Sequence, residues 1–339
     1  MTPPDRFRSA TFDTYTPITP SQAEALSTVR WFTARVLTSP TLYERTKRFF
    51  GLSAASAPNG LYLVGPAGTG KTHLLAATYH ALSPEVSCAF LHSSTLFRQT
   101  EPPADFAHAL ADQHTVCCLD EVEIDDPANE MRLVQFMKTL AARNVPLLAT
   151  SNITPDTSLS SQLSSGRLHR FLQSEFSERY HIVEVKGADY RRTQDVERTG
   201  EGWVGPPEHT RPAMQQAYRA TDDASRWWSF DDLRRASTEM SHPRLIDTLS
   251  AVDHLFIADI SISNTDDALR LLRVIDALYL REDAPALYFT ATAAPDAWFA
   301  PDAHAGVAQA VAEKFARTVS RIYALCSVHT VDPTPSEAC

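Results

Sequence analysis

The sequence predicts an α/β fold, a doubly wound parallel sheet with a nucleotide site at its strand ends, and three observations predict it. Gly65-Pro66-Ala67-Gly68-Thr69-Gly70-Lys71-Thr72 fits G-x-x-x-x-G-K-[ST], between the apolar strand Gly60-Leu61-Tyr62-Leu63-Val64 and a helix leaving at His73. A later apolar strand, Thr115 to Leu119, finishes in the carboxylate pair Asp120-Glu121. Another, Pro146 to Thr150, finishes in Ser151-Asn152. Apolar strands alternating with helices build a parallel sheet, and such sheets bind ligands at the carboxyl ends of their strands.

Taken in order, residues 6–20 form an aromatic-studded lead-in, and Ser21 caps a helix from Gln22 to about Val36. Phe7, Phe12 and Tyr15 have two readings, stacking on an adenine ring or anchoring the N-terminal arm to the core. In the P-loop, Gly65, Gly68 and Gly70 admit positive φ, so that loop N–H groups and the helix N-terminus face a polyphosphate. Lys71 is expected to reach the β/γ-phosphates of ATP, and the Thr72 hydroxyl to hold Mg²⁺.

Further strands are expected over 86–92, 115–119, 146–150 and 181–185, with helices over 104–112 and 129–143. Asp120 is placed to support the Mg²⁺ and Glu121 to polarise the attacking water. Asn152 is placed to orient that water. Arg167 and Arg170 are candidates for an arginine finger inserted into a neighbouring subunit, which implies a homo-oligomer.

At 339 residues there is room for about two domains. A formal net charge of -10 weighs against broad nucleic-acid binding, although a local basic stripe stays open. Cys88, Cys117, Cys118, Cys326 and Cys339 have no metal-ligand spacing, and a sparse, odd set suits a reducing compartment. With no signal pattern and no apolar run of membrane length, the expectation is a cytoplasmic protein.

The expected divisions are an N-terminal arm and helix over 1–49, a P-loop core over 50–192, a linker or insertion over 193–228, a C-terminal α/β region over 229–329 and a disordered tail over 330–339. The Gly/Pro-rich stretch Thr199 to Pro207 suggests the linker. Trp227-Trp228 reads either as a partner contact or as a helix-docking pair. Strands over 254–260 and 286–292 and helices over 266–281 and 306–326 resume the alternation. Asp259 ends a strand with no phosphate loop beside it and reads as structural.

Beyond the P-loop, Gly187-Ala188-Asp189-Tyr190-Arg191, Phe230-Asp231-Asp232-Leu233, His254 to Ile260, Arg273 to Tyr279 and Phe315 to Ile322 form a series of landmarks. Together they resemble the ZapE family of AAA+-type ATPases, bacterial cell-division proteins with mitochondrial relatives. The resemblance runs from about Arg6 to Ile322 and implies an AAA+-like core, ATP hydrolysis, and protein partners in cell division or quality control. Two departures stand out. Leu119 and Val122 flank the paired acids where the family has Phe, and Gln173-Ser174-Glu175-Phe176 replaces the end of the arginine region. The lead-in also resembles DnaC- and IstB-type helicase loaders acting with single-stranded DNA. A third reading is an ATP-gated adaptor that does not hydrolyse.

Overall fold

The computed structural model describes residues 1–38, 60–122, 127–152, 179–193, 198–221, 224–281, 283–298 and 309–331. The chain divides into two compact units, Met1–Ala188 and Asp189–Cys339.

In the first unit, α1 (Pro20–Thr38) precedes β1 (Gly60–Val64), α2 (Lys71–Leu82), β2 (Cys88–His92), α3 (Ser93–Phe97), α4 (Pro103–Gln113), β3 (Val116–Asp120), α5 (Pro127–Ala142), β4 (Leu147–Ser151) and β5 (Tyr180–Glu184). The strands lie side by side in the order β2-β3-β4-β1-β5, every pairing parallel. β1, β3 and β4 are buried at every residue, as expected for strands covered on both faces, which is why they read as unbroken apolar runs. Strand alternation then sorts them. Leu61 and Leu63 enter a core with Val29, Phe32, Leu74, Leu75 and Cys118, whereas Tyr62 and Val64 enter one with Phe106, Leu110, Cys117, Phe136 and Leu140. The adjacent cysteines thus face opposite sides of the sheet.

The second unit carries α6 (Tyr190–Thr193), β6 (Gly200–Val204), α7 (Pro207–Ala220), β7 (Ser225–Ser229), α8 (Phe230–Glu239), α9 (His242–Ser250), β8 (His254–Ile260), α10 (Thr265–Tyr279), β9 (Ala286–Ala291), α11 (Pro295–Trp298), α12 (Gln309–Leu325) and β10 (Cys326–Thr330). Its strands are ordered β10-β6-β9-β8-β7 and are again all parallel.

This corrects the expected linker over 193–228, because that stretch supplies β6, α7 and β7. Its glycines and prolines have other physical roles. A Cβ at Gly202 would overlap the Phe289 ring, so glycine there permits close packing. Pro207 sits in the first turn of α7, where no intrahelical N–H bond is lost. The first unit ends at Ala188, close to the expected end of the core at 192, and the stretch expected as a linker belongs to the second unit. Thr330 closes β10, and the rest of the expected tail from 332 lies outside the described residues.

Trp227 and Trp228 occupy consecutive positions of β7 and therefore point to opposite faces. Trp228 packs on the large core beneath α8, α10 and α12. Trp227 stacks on Phe256 with ring centroids 6.1 Å apart, and Phe256 stacks on Tyr288 at 4.4 Å. Tyr218 of α7 closes this ladder edge-on, 5.0 Å from Phe256. The tryptophan pair therefore serves internal packing. Truncating the fully buried centre of the ladder, Phe256→Ala, is expected to cost roughly 3–5 kcal/mol of stability, read from the midpoint of urea unfolding.

Candidate functional site

The P-loop connects β1 to α2 as expected. Gly68 and Gly70 take φ of 78° and 89°, while Gly65 does not have positive φ. Gly65 is instead pressed against the Val185 backbone carbonyl, where a Cβ would collide. Gly70 is the N-cap residue of α2 and has no side chain to satisfy the first-turn N–H groups, which leaves them for an anion. Thr69 folds its hydroxyl onto the Pro66 carbonyl at 3.0 Å. The Lys71 ammonium donates to the Gly65 and Pro66 carbonyls, both at 2.7 Å, so it lies within the loop it is expected to serve.

At the end of β3, Asp120 is almost fully buried. Its Oδ1 accepts from Thr72 Oγ1 at 3.1 Å and from Thr150 Oγ1 at 2.6 Å. Burial, reinforced by the Glu121 charge, raises the Asp120 pKa, and these hydroxyls and His92 oppose the rise. A buried carboxylate beside a threonine hydroxyl is a hard-oxygen donor pair that fits Mg²⁺, and the glycine cradle with the open start of α2 fits a polyphosphate.

Glu121 has φ of 51°, a left-handed conformation that costs a non-glycine residue roughly 1–2 kcal/mol. Two hydroxyls hold it there: its N–H donates to Thr150 Oγ1 at 2.9 Å, and its carbonyl accepts from Ser93 Oγ at 2.5 Å. The Glu121 side chain meets His92 Nε2 at 2.9 Å, while His92 Nδ1 lies 2.8 Å from Ser94 Oγ. Parallel pairing places His92 opposite Asp120, which brings β2 into the site.

β4 contributes Thr150, Ser151 and Asn152. Ser151 Oγ donates to the Val122 carbonyl at 2.8 Å and bonds the Tyr62 hydroxyl, whose pKa burial pushes up to about 12. Asn152 follows directly, half-buried at the strand end. Thus the structure gathers the P-loop, Thr72, Asp120, Glu121 and Asn152 at the carboxyl ends of β1, β3 and β4. Arg167 and Arg170 lie outside the described residues.

The aromatic lead-in proves to be an anchor. Tyr15 is buried, with its ring against Gly70 and its hydroxyl donating to the Thr69 carbonyl at 3.1 Å. The buried Gln22 reaches the same carbonyl at 3.4 Å and accepts from the Ile18 and Thr19 N–H groups. From α2, His73 Nε2 donates to the Thr11 carbonyl at 3.0 Å; burial lowers its pKa, and that bond opposes the shift. Phe7 and Phe12 pack against the core beneath α2. The N-terminal arm thereby clamps the loop from outside. Sequence reasoning missed His92, Ser93, Thr150 and Gln22, whose roles follow from strand register and not from any motif.

A family model described as AFG1-like ATPase matches residues 1–226. Cell division protein ZapE of Escherichia coli K12 is 31% identical over 176 residues, 48% of this chain and 45% of that protein. Uncharacterized protein C115.02c of Schizosaccharomyces pombe is 30% identical over 133 residues, 34% of this chain and 28% of that protein. Each match thus covers less than half of the relative's own length. A crystal structure of DnaI aligns with 55% of this chain and 93% of its own at 19% identity, with a TM-score of 0.42.

Two outcomes test this geometry. Tyr15→Phe removes only the bond to Thr69 and is expected to cost about 1 kcal/mol in urea unfolding, with nucleotide affinity weakened roughly threefold. Asp120→Asn keeps an oxygen acceptor for both hydroxyls and removes a buried charge. An acid whose folded pKa is raised loses stability as pH climbs from its unfolded pKa towards the folded one, and the loss is complete above the latter. The variant should therefore melt a few degrees higher than the parent at neutral pH without nucleotide, about 2–4 °C per kcal/mol gained. Calorimetry should show that gap closing as the pH is lowered.

Proposed function

This chain belongs to the AFG1-like ATPase family, and we propose from that premise that it hydrolyses ATP to ADP and phosphate with Mg²⁺. The observation that carries the reading is the convergence of the P-loop with Thr72, Asp120 and Glu121, joined through Thr150. Thr72 and Asp120 are the residues that would hold Mg²⁺, and Lys71 with the first turn of α2 would bind the β/γ-phosphates. Held there, Mg²⁺ would supply positive charge to offset that of the phosphates. Lys71 exchanges its two loop carbonyls for phosphate oxygens as the nucleotide seats. Glu121, aimed by its fixed backbone, accepts a proton from the attacking water, and Asn152 orients that water. For this Glu121 must leave His92, so the 2.9 Å contact restrains it before reaction.

The finer role is also a proposal. The likeness to cell division protein ZapE supports an ATPase that remodels protein partners, in division or in protein quality control. Arg167 or Arg170 would complete the site of a neighbouring copy in a homo-oligomer.

Glu121→Gln is expected to bind ATP normally while turnover falls about a hundredfold or more; full turnover in that variant rules out Glu121 as the base. His92→Ala is expected to raise basal kcat and leave nucleotide affinity unchanged, as read by steady-state turnover alongside equilibrium binding. Specific activity that rises with protein concentration and collapses in Arg167→Ala or Arg170→Ala supports the shared site. A flat profile, insensitive to both, makes each protomer self-sufficient.

A further inference from the structure

The second sheet repeats the first strand for strand. Numbered within its own unit, each sheet has the order 5-1-4-3-2 and is parallel throughout. Strand pairing makes the correspondence residue by residue. Gly60 pairs with Leu147 and Tyr180 in the first unit; the register of the second sets Gly200 beside Leu287 and opposite Cys326. A Cβ at Gly60 would strike the Leu147 carbonyl, and one at Gly200 would strike the Leu287 carbonyl.

The strand ends agree as closely. Gly65 N–H donates to Ser151 at 3.2 Å, and Gly205 N–H to Ala291 at 2.9 Å. Val185 N–H donates to Val64 at 2.7 Å, and Val331 N–H to Val204 at 2.8 Å. Register sets Leu119 beside Ala149 and Ile257 beside Phe289, so Glu121 corresponds to Asp259. Asp259 shares the left-handed backbone, with φ of 60° against 51° for Glu121. Its N–H donates to a β9 threonine, Thr290 Oγ1, at 2.8 Å, as that of Glu121 donates to Thr150 Oγ1 at 2.9 Å.

The chemistry at the phosphate position differs. In the first unit Pro66 to Gly70 form the cradle between Gly65 and α2; in the second, Pro206 alone separates Gly205 from α7. Pro206 and Pro207 carry no N–H, which removes two of the donors that would face a phosphate. Ala258 stands where Asp120 would supply a metal ligand. Across the gap between the start of the first helix and the end of the third strand, where Thr72 meets Asp120, Arg211 grips Asp259. Its Nε lies 2.9 Å and 3.1 Å from the two carboxylate oxygens, and a terminal nitrogen 2.9 Å from Oδ2.

We infer that the second unit is an internal repeat of the nucleotide-binding sheet whose phosphate position the chain itself closes, so that each chain takes a single nucleotide. The first half of the stoichiometry rests on the proposed function; the closed second position does not. The repeat is a non-catalytic module, with the Arg211–Asp259 ion pair standing where cation and phosphate would meet.

Equilibrium dialysis of the full chain with a non-hydrolysable ATP analogue and Mg²⁺ tests the count. One nucleotide per chain is expected, none in Lys71→Ala, and one in Arg211→Ala with affinity within about twofold of the parent. Two per chain, or a site surviving in Lys71→Ala, overturns the inference. No binding by the parent instead defeats the nucleotide assignment of the first unit, and a second arm then decides the repeat. Calorimetry with tripolyphosphate should show no binding to Lys71→Ala and millimolar binding once Asp259→Ala is added, because Arg211 then loses its carboxylate. Binding by Lys71→Ala alone shows an open phosphate position and overturns the inference, and so does no gain in the double variant.

Discussion

One buried hydroxyl ties the two acids of the first sheet together. Thr150 Oγ1 donates its proton to Asp120 and accepts the N–H of Glu121. A hydroxyl has one hydrogen, so this arrangement has a fixed direction. It requires the Asp120 oxygen as acceptor and the Glu121 amide turned inward, and the turned amide is what the left-handed backbone supplies. Without a buried acceptor of this kind, the strained conformation would leave a backbone donor unsatisfied in the core, at a cost of about 1–3 kcal/mol. The strain at Glu121 and the burial of Asp120 thus depend on the same atom.

That arrangement sets folding against function. A carboxylate removed from water beside a second acid favours its protonated form, and its hydroxyl partners offset this only in part. The fold keeps the charge close to where a cation would lie, at the expense of the nucleotide-free state. The same balance is visible at Lys71, an ammonium held by two carbonyls of the very loop that would present it to phosphate. Around these groups the constraints are apolar and rigid: Tyr15 behind Gly70, Val185 against Gly65, and Leu61 and Leu63 beneath. Strain in the site is supported by a scaffold buried on both faces.

Much of this was legible in the sequence because it is local. The P-loop reads from spacing, and β3 and β4 read from apolar runs ending in polar residues. What escaped is set by register. His92 reaches Glu121 because β2 runs parallel to β3 with His92 opposite Asp120, and nothing near His92 in the chain announces it. Thr150 looked like an ordinary strand-end residue for the same reason. The misreading of 193–228 has a different cause. Gly200 and Gly202 signal flexibility in a propensity reading, yet each sits where a neighbouring carbonyl or ring leaves no room for a Cβ. Close packing and looseness both select glycine, and only three-dimensional contacts separate them. The sequence allows Tyr15 two roles, and its hydroxyl on the Thr69 carbonyl assigns it the anchoring one.

The two sheets together show how little of a parallel fold its chemistry requires. Both keep the features that close a sheet of this order: a glycine opening the first strand, the N–H bonds at the strand ends, and a threonine on the fourth strand that holds a left-handed residue at the end of the third. These are backbone demands, met by Thr150 and Thr290 alike. The differences at the phosphate and metal positions lie in the first turn after the first strand and in one residue of the third. Five residues with glycines at Gly68 and Gly70 leave amides facing outward; a proline pair starts the helix at once and removes two of them. Asp120 puts an oxygen beside Thr72, whereas Ala258 puts a methyl group. An arginine one helical turn into α7 then finds the acidic residue near the end of β8 within reach and neutralises it. The architecture survives because its constraints lie in the sheet, while the chemistry depends on a loop that the sheet does not need.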